Sequence, residues 1–231
     1  MADDVVIRFY FDPIRISKDF VRNLISSIHG TTYEDVGYST KAKENKNGEF
    51  IAKRKQNAPI DEAIEWVSRE GGIIYRLNYK NFIHFDLKIC FQASTKRKLA
   101  IIEVSFIGAN FNEEEEKRFE RGAVLIELSK NIWNAMKQKP LYGMGDDGGF
   151  VDYGPSSEDI LRLNIEDKIN IYWLNFYGQE LISKFGKENI QKILPYPKAK
   201  RPFWKIEELD DGILTIQAPL PRVYMSKEED R

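Results

Sequence analysis

The residues of this chain best suited to chemistry are two histidines, His29 and His84, one cysteine, Cys90, and a short stretch rich in glycine and aspartate. Gly143-Met144-Gly145-Asp146-Asp147-Gly148 has the spacing GxGxxG, whose glycines can let backbone amides approach a pyrophosphate. Here it follows a long helical pattern instead of a strand, and its aspartates would repel phosphate, so a loop without a nucleotide is expected. Asp146, Asp147 and Asp152 are hard oxygen donors, but they lack the spacing of a calcium loop, and no metal or other cofactor is expected. His84 and Cys90 fall on the same polar phase of one strand, about 20 Å apart, too far for a nucleophile and its base. His29 suits the negative end of a helix. Glu113 to Glu116 read as an acidic helix start, and no catalytic carboxylate pair stands out.

The elements that would hold these residues are those of an α+β protein. Val5 to Phe11 is β-branched and aromatic, closed by Asp12-Pro13, and reads as a strand. Ser17 caps a helix in which Phe20, Val21, Leu24, Ile25 and Ile28 recur at helical spacing. From Asp35 to Asn57 the apolar pattern fades into a basic hairpin or loop around Asn47-Gly48. A short helix follows Pro59. Three runs then alternate strictly: Ile73 to Tyr79, Ile83 to Phe91 and Ala100 to Phe106, a β-meander with one apolar and one polar face. Asn112 opens a helix to about Gln138, whose apolar residues Phe119, Leu125, Leu128, Ile132, Trp133 and Met136 can cover a sheet. Beyond it the pattern predicts a helix near 157–163, a strand near 168–174, a helix over 179–193, and a hairpin turning at Asp210-Asp211-Gly212. The expected architecture is a predominantly antiparallel sheet covered by helices, with a smaller C-terminal αβαββ portion. Residues 1–141 would form the first subdomain, 142–155 a linker or loop, and 156–231 the second, unless both halves form one continuous domain.

Composition narrows the partners. Lys and Arg total 35 against 36 Asp and Glu, for a net charge of -1, so the chain as a whole has no field for nucleic acid or an anionic membrane. With a single cysteine, no leader pattern and no apolar run of about 18 residues, a cytoplasmic protein without a membrane association is expected. Basic residues do cluster locally: Lys53, Arg54 and Lys55 in the basic loop, and Lys96, Arg97 and Lys98 in a turn. They define an alternative as a nucleic-acid-associated factor. A carboxylate- or metal-dependent hydrolase is a third class.

Tyr172 to Leu181, then Phe185-Gly186-Lys187-Glu188, then Glu207 to Leu214 form a pattern of aromatic strand, helix and acidic hairpin. It resembles a segment of small bacterial α/β proteins, including immunity proteins of polymorphic toxin systems. The resemblance covers about 50 residues and implies a non-enzymatic module that binds a protein partner. On that reading Asp146, Asp147 and Asp152 in one loop, with Asp210 and Asp211 in the hairpin turn, would face a basic partner.

Overall fold

The computed structural model describes residues 4–11, 18–27, 31–39, 43–44, 50–51, 54–55, 59, 61–62, 73–79, 83–92, 99–106, 115–147, 172–192 and 205–221. Its strands are β1 (Val5–Phe11), β2 (Thr31–Ser39), β3 (Lys43–Glu44), β4 (Phe50–Ile51), β5 (Arg54–Lys55), β6 (Ile73–Tyr79), β7 (Ile83–Gln92), β8 (Leu99–Phe106), β9 (Tyr142–Asp147), β10 (Leu174–Gly178), β11 (Lys205–Leu209) and β12 (Gly212–Ile216). The helices are α1 (Lys18–Ser27), α2 (Glu115–Ala135), α3 (Gln179–Phe185) and α4 (Lys187–Lys192).

Ten of these strands form one sheet in the order β11-β12-β10-β9-β1-β8-β7-β6-β2-β5, and every pair in it is antiparallel. The meander appears as β6, β7 and β8, side by side and in chain order. The C-terminal hairpin is β11 and β12, with Leu209 opposite Gly212. Thr31 to Ser39, where the sequence shows no strand pattern, is β2; a register shift between Tyr33 and Asp35 breaks its alternation. A strand lies at Leu174–Gly178, while residues 168–171 of the strand expected near 168–174 lie outside the described residues; the helix expected over 179–193 divides at Gly186, whose φ of 82° lies in the left-handed region. The helix near 157–163, most of the short helix after Pro59, and residues 148–155 lie outside the described residues.

One expectation is corrected. Residues 142–147 are not part of a linker but strand β9, paired with β1 on one side and β10 on the other. The sheet therefore runs without interruption from the N-terminal strand to the C-terminal hairpin. Glycine usually weakens a strand interior, because it adds chain entropy and supplies no side chain. Here its small size is used. Gly143 lies opposite Phe9 and Phe176, and a Cβ placed on it would come within 2.7 Å of the Phe9 ring. Gly145 lies opposite Ile7 and Leu174, and its Cβ would come within 2.9 Å of Ile7. The neighbouring side chains fill the space that β9 leaves.

On this first face of the sheet, Val5, Ile7, Phe9 and Phe11 pack with Ile102, Val104, Phe106, Leu174 and Phe176. Helix α2 covers them with Leu125, Leu128, Ile132 and Trp133, Met136 just past its end joins them, and α1 adds Leu24. Trp133 stacks on Phe176, with ring centroids 5.6 Å apart and planes at 17°, and Phe9 meets Phe176 edge-on at 5.0 Å. Its indole N–H donates to the Asp210 carbonyl at 2.9 Å, which ties the hairpin turn to the end of α2. Replacing Gly143→Ala should lower stability by about 1–3 kcal/mol, the usual cost of overpacking. A urea midpoint unchanged from that of the parent chain would show that Phe9 can move aside and that the glycine is not required.

Candidate functional site

The opposite face of the sheet is where polar groups gather. Strand alternation sends Val6, Arg8 and Tyr10 of β1 to this side, and the strand pairing sets Ser105, Glu103 and Ile101 of β8 directly beside them. On the other flank Asp146, Met144 and Tyr142 of β9 stand opposite Val6, Arg8 and Tyr10. Asn175 and Tyr177 of β10 and Ile213 and Thr215 of β12 continue the two lower rows. Leu181 and Phe185 of α3 and Ile190 of α4 close the C-terminal end of this face in a second core with Tyr10, Tyr142, Tyr172, Tyr177 and Ile213.

The polar atoms inside this core form a short network. The Tyr142 hydroxyl donates to Asn175 Oδ1 at 3.0 Å, and Asn175 Nδ2 donates to the Tyr172 carbonyl at 3.0 Å and to Thr215 Oγ1 at 3.4 Å. Asp146, only 4% exposed, accepts the Trp173 backbone N–H at 2.9 Å. Arg8 Nε donates to Glu103 Oε2 at 2.7 Å in a half-buried ion pair. The Tyr172 hydroxyl differs from these: it is buried and makes no hydrogen bond to any protein group. Burial raises the pKa of Tyr142, Tyr172 and Tyr177, because a phenolate would be stranded in a poorly solvated core. For Tyr172 the neighbouring Tyr10 and Asp146 add to the rise and Arg8 opposes it.

Pairing carries the same face outward to the meander. Lys88 of β7 lies opposite Glu103, and Asp86 lies opposite Ser105. Arg76 of β6 stands opposite Asp86, Asn78 opposite His84, and Asp35 of β2 opposite Arg76. The register thus sets these meander positions in the same cross-strand rows as Ser105 and Glu103. Charges of opposite sign occupy neighbouring positions on successive strands, an arrangement that favours pairing across a sheet.

Of the acidic residues singled out from the sequence, Asp146 and the Asp210–Asp211 turn stand at different places on the sheet. Asp146 is engaged within the sheet, Asp147 ends β9 opposite Val5, and Asp152 lies outside the described residues. Asp210 and Asp211 are exposed in the turn at the far end of β10, where Gly178 stands opposite Gly212. Five residues of β10 separate that turn from Asp146, roughly 17 Å of strand. The Asp210 carboxylate is paired with Lys139 at 2.9 Å, and Asp211 takes the left-handed conformation, φ 54°, that the tight turn requires. Of the basic candidates, Arg54 and Lys55 form β5 at the opposite edge of the sheet, whereas Lys53, Lys96, Arg97 and Lys98 lie outside the described residues. Gly143 and Gly145 serve packing inside a strand. Among the described residues no three His, Cys, Asp or Glu side chains form a metal-binding group, and no helix is long and apolar enough to cross a membrane. The Tyr142–Asn175–Thr215 network was missed in the sequence, where those residues stand far apart.

The chain is an α+β protein built on an antiparallel sheet. No protein-family model matches it, and comparison with curated proteins found no match.

Two substitutions separate the tyrosines. Tyr142→Phe strands Asn175 Oδ1 without its donor and should cost about 1–3 kcal/mol. Tyr172→Phe removes a hydroxyl that no protein group bonds and should be neutral or stabilising in the chain alone. Chemical denaturation of both variants distinguishes them, and equal losses would contradict the network described. A pH titration tests burial independently. Because the folded pKa values of the three tyrosines lie above the unfolded value near 10, the folded state holds more protons there and stability must fall as pH rises past it. Phenolate absorbance should therefore appear for these tyrosines together with alkaline unfolding rather than before it.

Proposed function

We propose that this chain is a non-enzymatic protein-binding module, an immunity or defence-associated protein, and that it engages its partner through the mixed-charge face of the sheet. The observation that carries the reading is the placement of Arg8, Glu103, Lys88, Asp86 and Arg76 at adjoining positions of β1, β8, β7 and β6. A surface of alternating sign offers many directional contacts to a protein of complementary pattern, and it suppresses partners whose charges fall in the wrong place. It offers little to a phosphate backbone, which is held by a concentration of like positive charge. The resemblance of the C-terminal pattern to immunity proteins supports the same reading. The exposed Asp211 and Glu208 sit at the hairpin end and could meet a basic rim of the partner, although Glu208 is paired with Lys187.

Affinity capture with the tagged chain, after nuclease treatment, should recover a protein in stoichiometric amount. Reversing two charges at once, Arg76→Glu with Lys88→Glu, should weaken that complex at least tenfold, mostly through slower association at low salt. If the material recovered is nucleic acid released steeply by added salt, the basic residues around Arg54 and Lys55 define the function instead.

A further inference from the structure

Strand β11 ends the ten-stranded sheet, next to β12. The Gln217 N–H donates to the Trp173 carbonyl at 2.9 Å, which fixes the phase of the ladder: the odd residues of β12 bond β10, and Gly212, Leu214 and Ile216 turn towards β11. They stand opposite Leu209, Glu207 and Lys205, so Ile206 and Glu208 point their backbone N–H and C=O groups out of the sheet. Among the described residues these four groups have no backbone partner. The strand is nonetheless held on both faces: Glu207 by Lys130 and Lys205 and Leu209 by the first core, Glu208 by Lys187 and Ile206 by the second. An added strand would meet a template already fixed in shape, so less ordering accompanies binding.

We infer that an extended strand of the protein partner adds antiparallel to β11, bonded to the outward groups of Ile206 and Glu208, with a basic residue at its Asp211 end and an acidic one at its Lys205 end. This rests on the protein-binding reading above and adds a contact made by main chain, in which hydrogen bonds supply affinity and side chains choose the partner. Charge sets the polarity. Lys130 and Lys205 share one carboxylate, Glu207, which leaves positive charge in surplus at the start of β11. At the turn Lys139 pairs with Asp210, and exposed Asp211 has no ion pair among the described residues. A second copy of β11 fits less well: the antiparallel register that bonds all four groups puts Glu207 opposite Glu207, a like-charge pair.

The probe is the peptide acetyl-Lys-Val-Thr-Thr-Ile-Glu-Thr-amide, with its Lys and Glu exchanged as the control, read by amide hydrogen exchange of the full chain. In the free chain the Ile206 and Glu208 amides should exchange faster than those of Glu207 and Leu209, which bond β12. Millimolar peptide should slow Ile206 and Glu208 about threefold or more, and the control should not. Glu208→Pro removes an outward N–H that β12 does not use, and Glu208→Ala removes the same carboxylate while keeping the amide. Both should fold, and only the proline should weaken the captured partner, by about tenfold or more. No protection by the peptide, or equal protection by the control, overturns the inference. A captured protein that binds Glu208→Pro as tightly as Glu208→Ala overturns it too and leaves the protein-binding reading intact. A dimer of the chain that Glu208→Pro dissociates overturns it in favour of a second copy. Failure to capture any protein counts against that reading instead, and the peptide exchange still decides whether the edge takes a strand.

Discussion

The close approach of two aromatic rings over a strand that has no side chains beneath them is the contact on which this molecule depends. Phe9 and Phe176 reach toward each other across Gly143, and Trp133 of α2 closes over both. β9 sits between β1 and β10, so this contact lies where the N-terminal and C-terminal parts of the chain meet in one sheet. Trp133 also holds the Asp210 carbonyl, and Lys139 holds the Asp210 carboxylate while donating to the Trp133 and Asn134 carbonyls at the end of α2. One helix terminus, one strand and one hairpin turn are thereby fixed together.

The two faces of the sheet divide the labour. The face under α1 and α2 takes Val5, Ile7, Phe9 and Phe11 of β1, and aliphatic and aromatic burial there supplies the main drive to fold. The other face mixes aromatic residues with polar groups that must find partners, and most do: Tyr142 with Asn175, Asn175 with Thr215, Asp146 with the Trp173 amide. Such networks restrict the sheet to one register, since a slip of one residue would bury charge and expose the aromatic row. At the sheet edge, β11 carries Lys205, Glu207 and Glu208, which are engaged by ion pairs with one another or with Lys130 and Lys187. Burial would raise the Glu207 carboxyl, but Lys130 and Lys205 outweigh it and hold the group below its ordinary pKa. Charges so placed discourage strand-to-strand aggregation at an open edge.

Much of this was legible in the linear order of residues. Alternation in Ile83 to Phe91 and Ala100 to Phe106 is a local property, as is the helical spacing of Leu125, Leu128, Ile132 and Met136, and Asp-Gly turns a hairpin wherever it occurs between strands. These determined the α+β class, the meander, the long covering helix and the final hairpin. What the tertiary structure alone decided was the fate of residues whose meaning depends on a neighbour far away in sequence. Gly143 and Gly145 read as a loop until Ile7, Phe9, Leu174 and Phe176 are known to flank them. Asp146 and Asp210 read as one acidic surface until β10 separates them and the first is taken by the Trp173 amide. The physical reason is the same in each case: periodicity states which way a side chain points, whereas strand order and register state what it meets there.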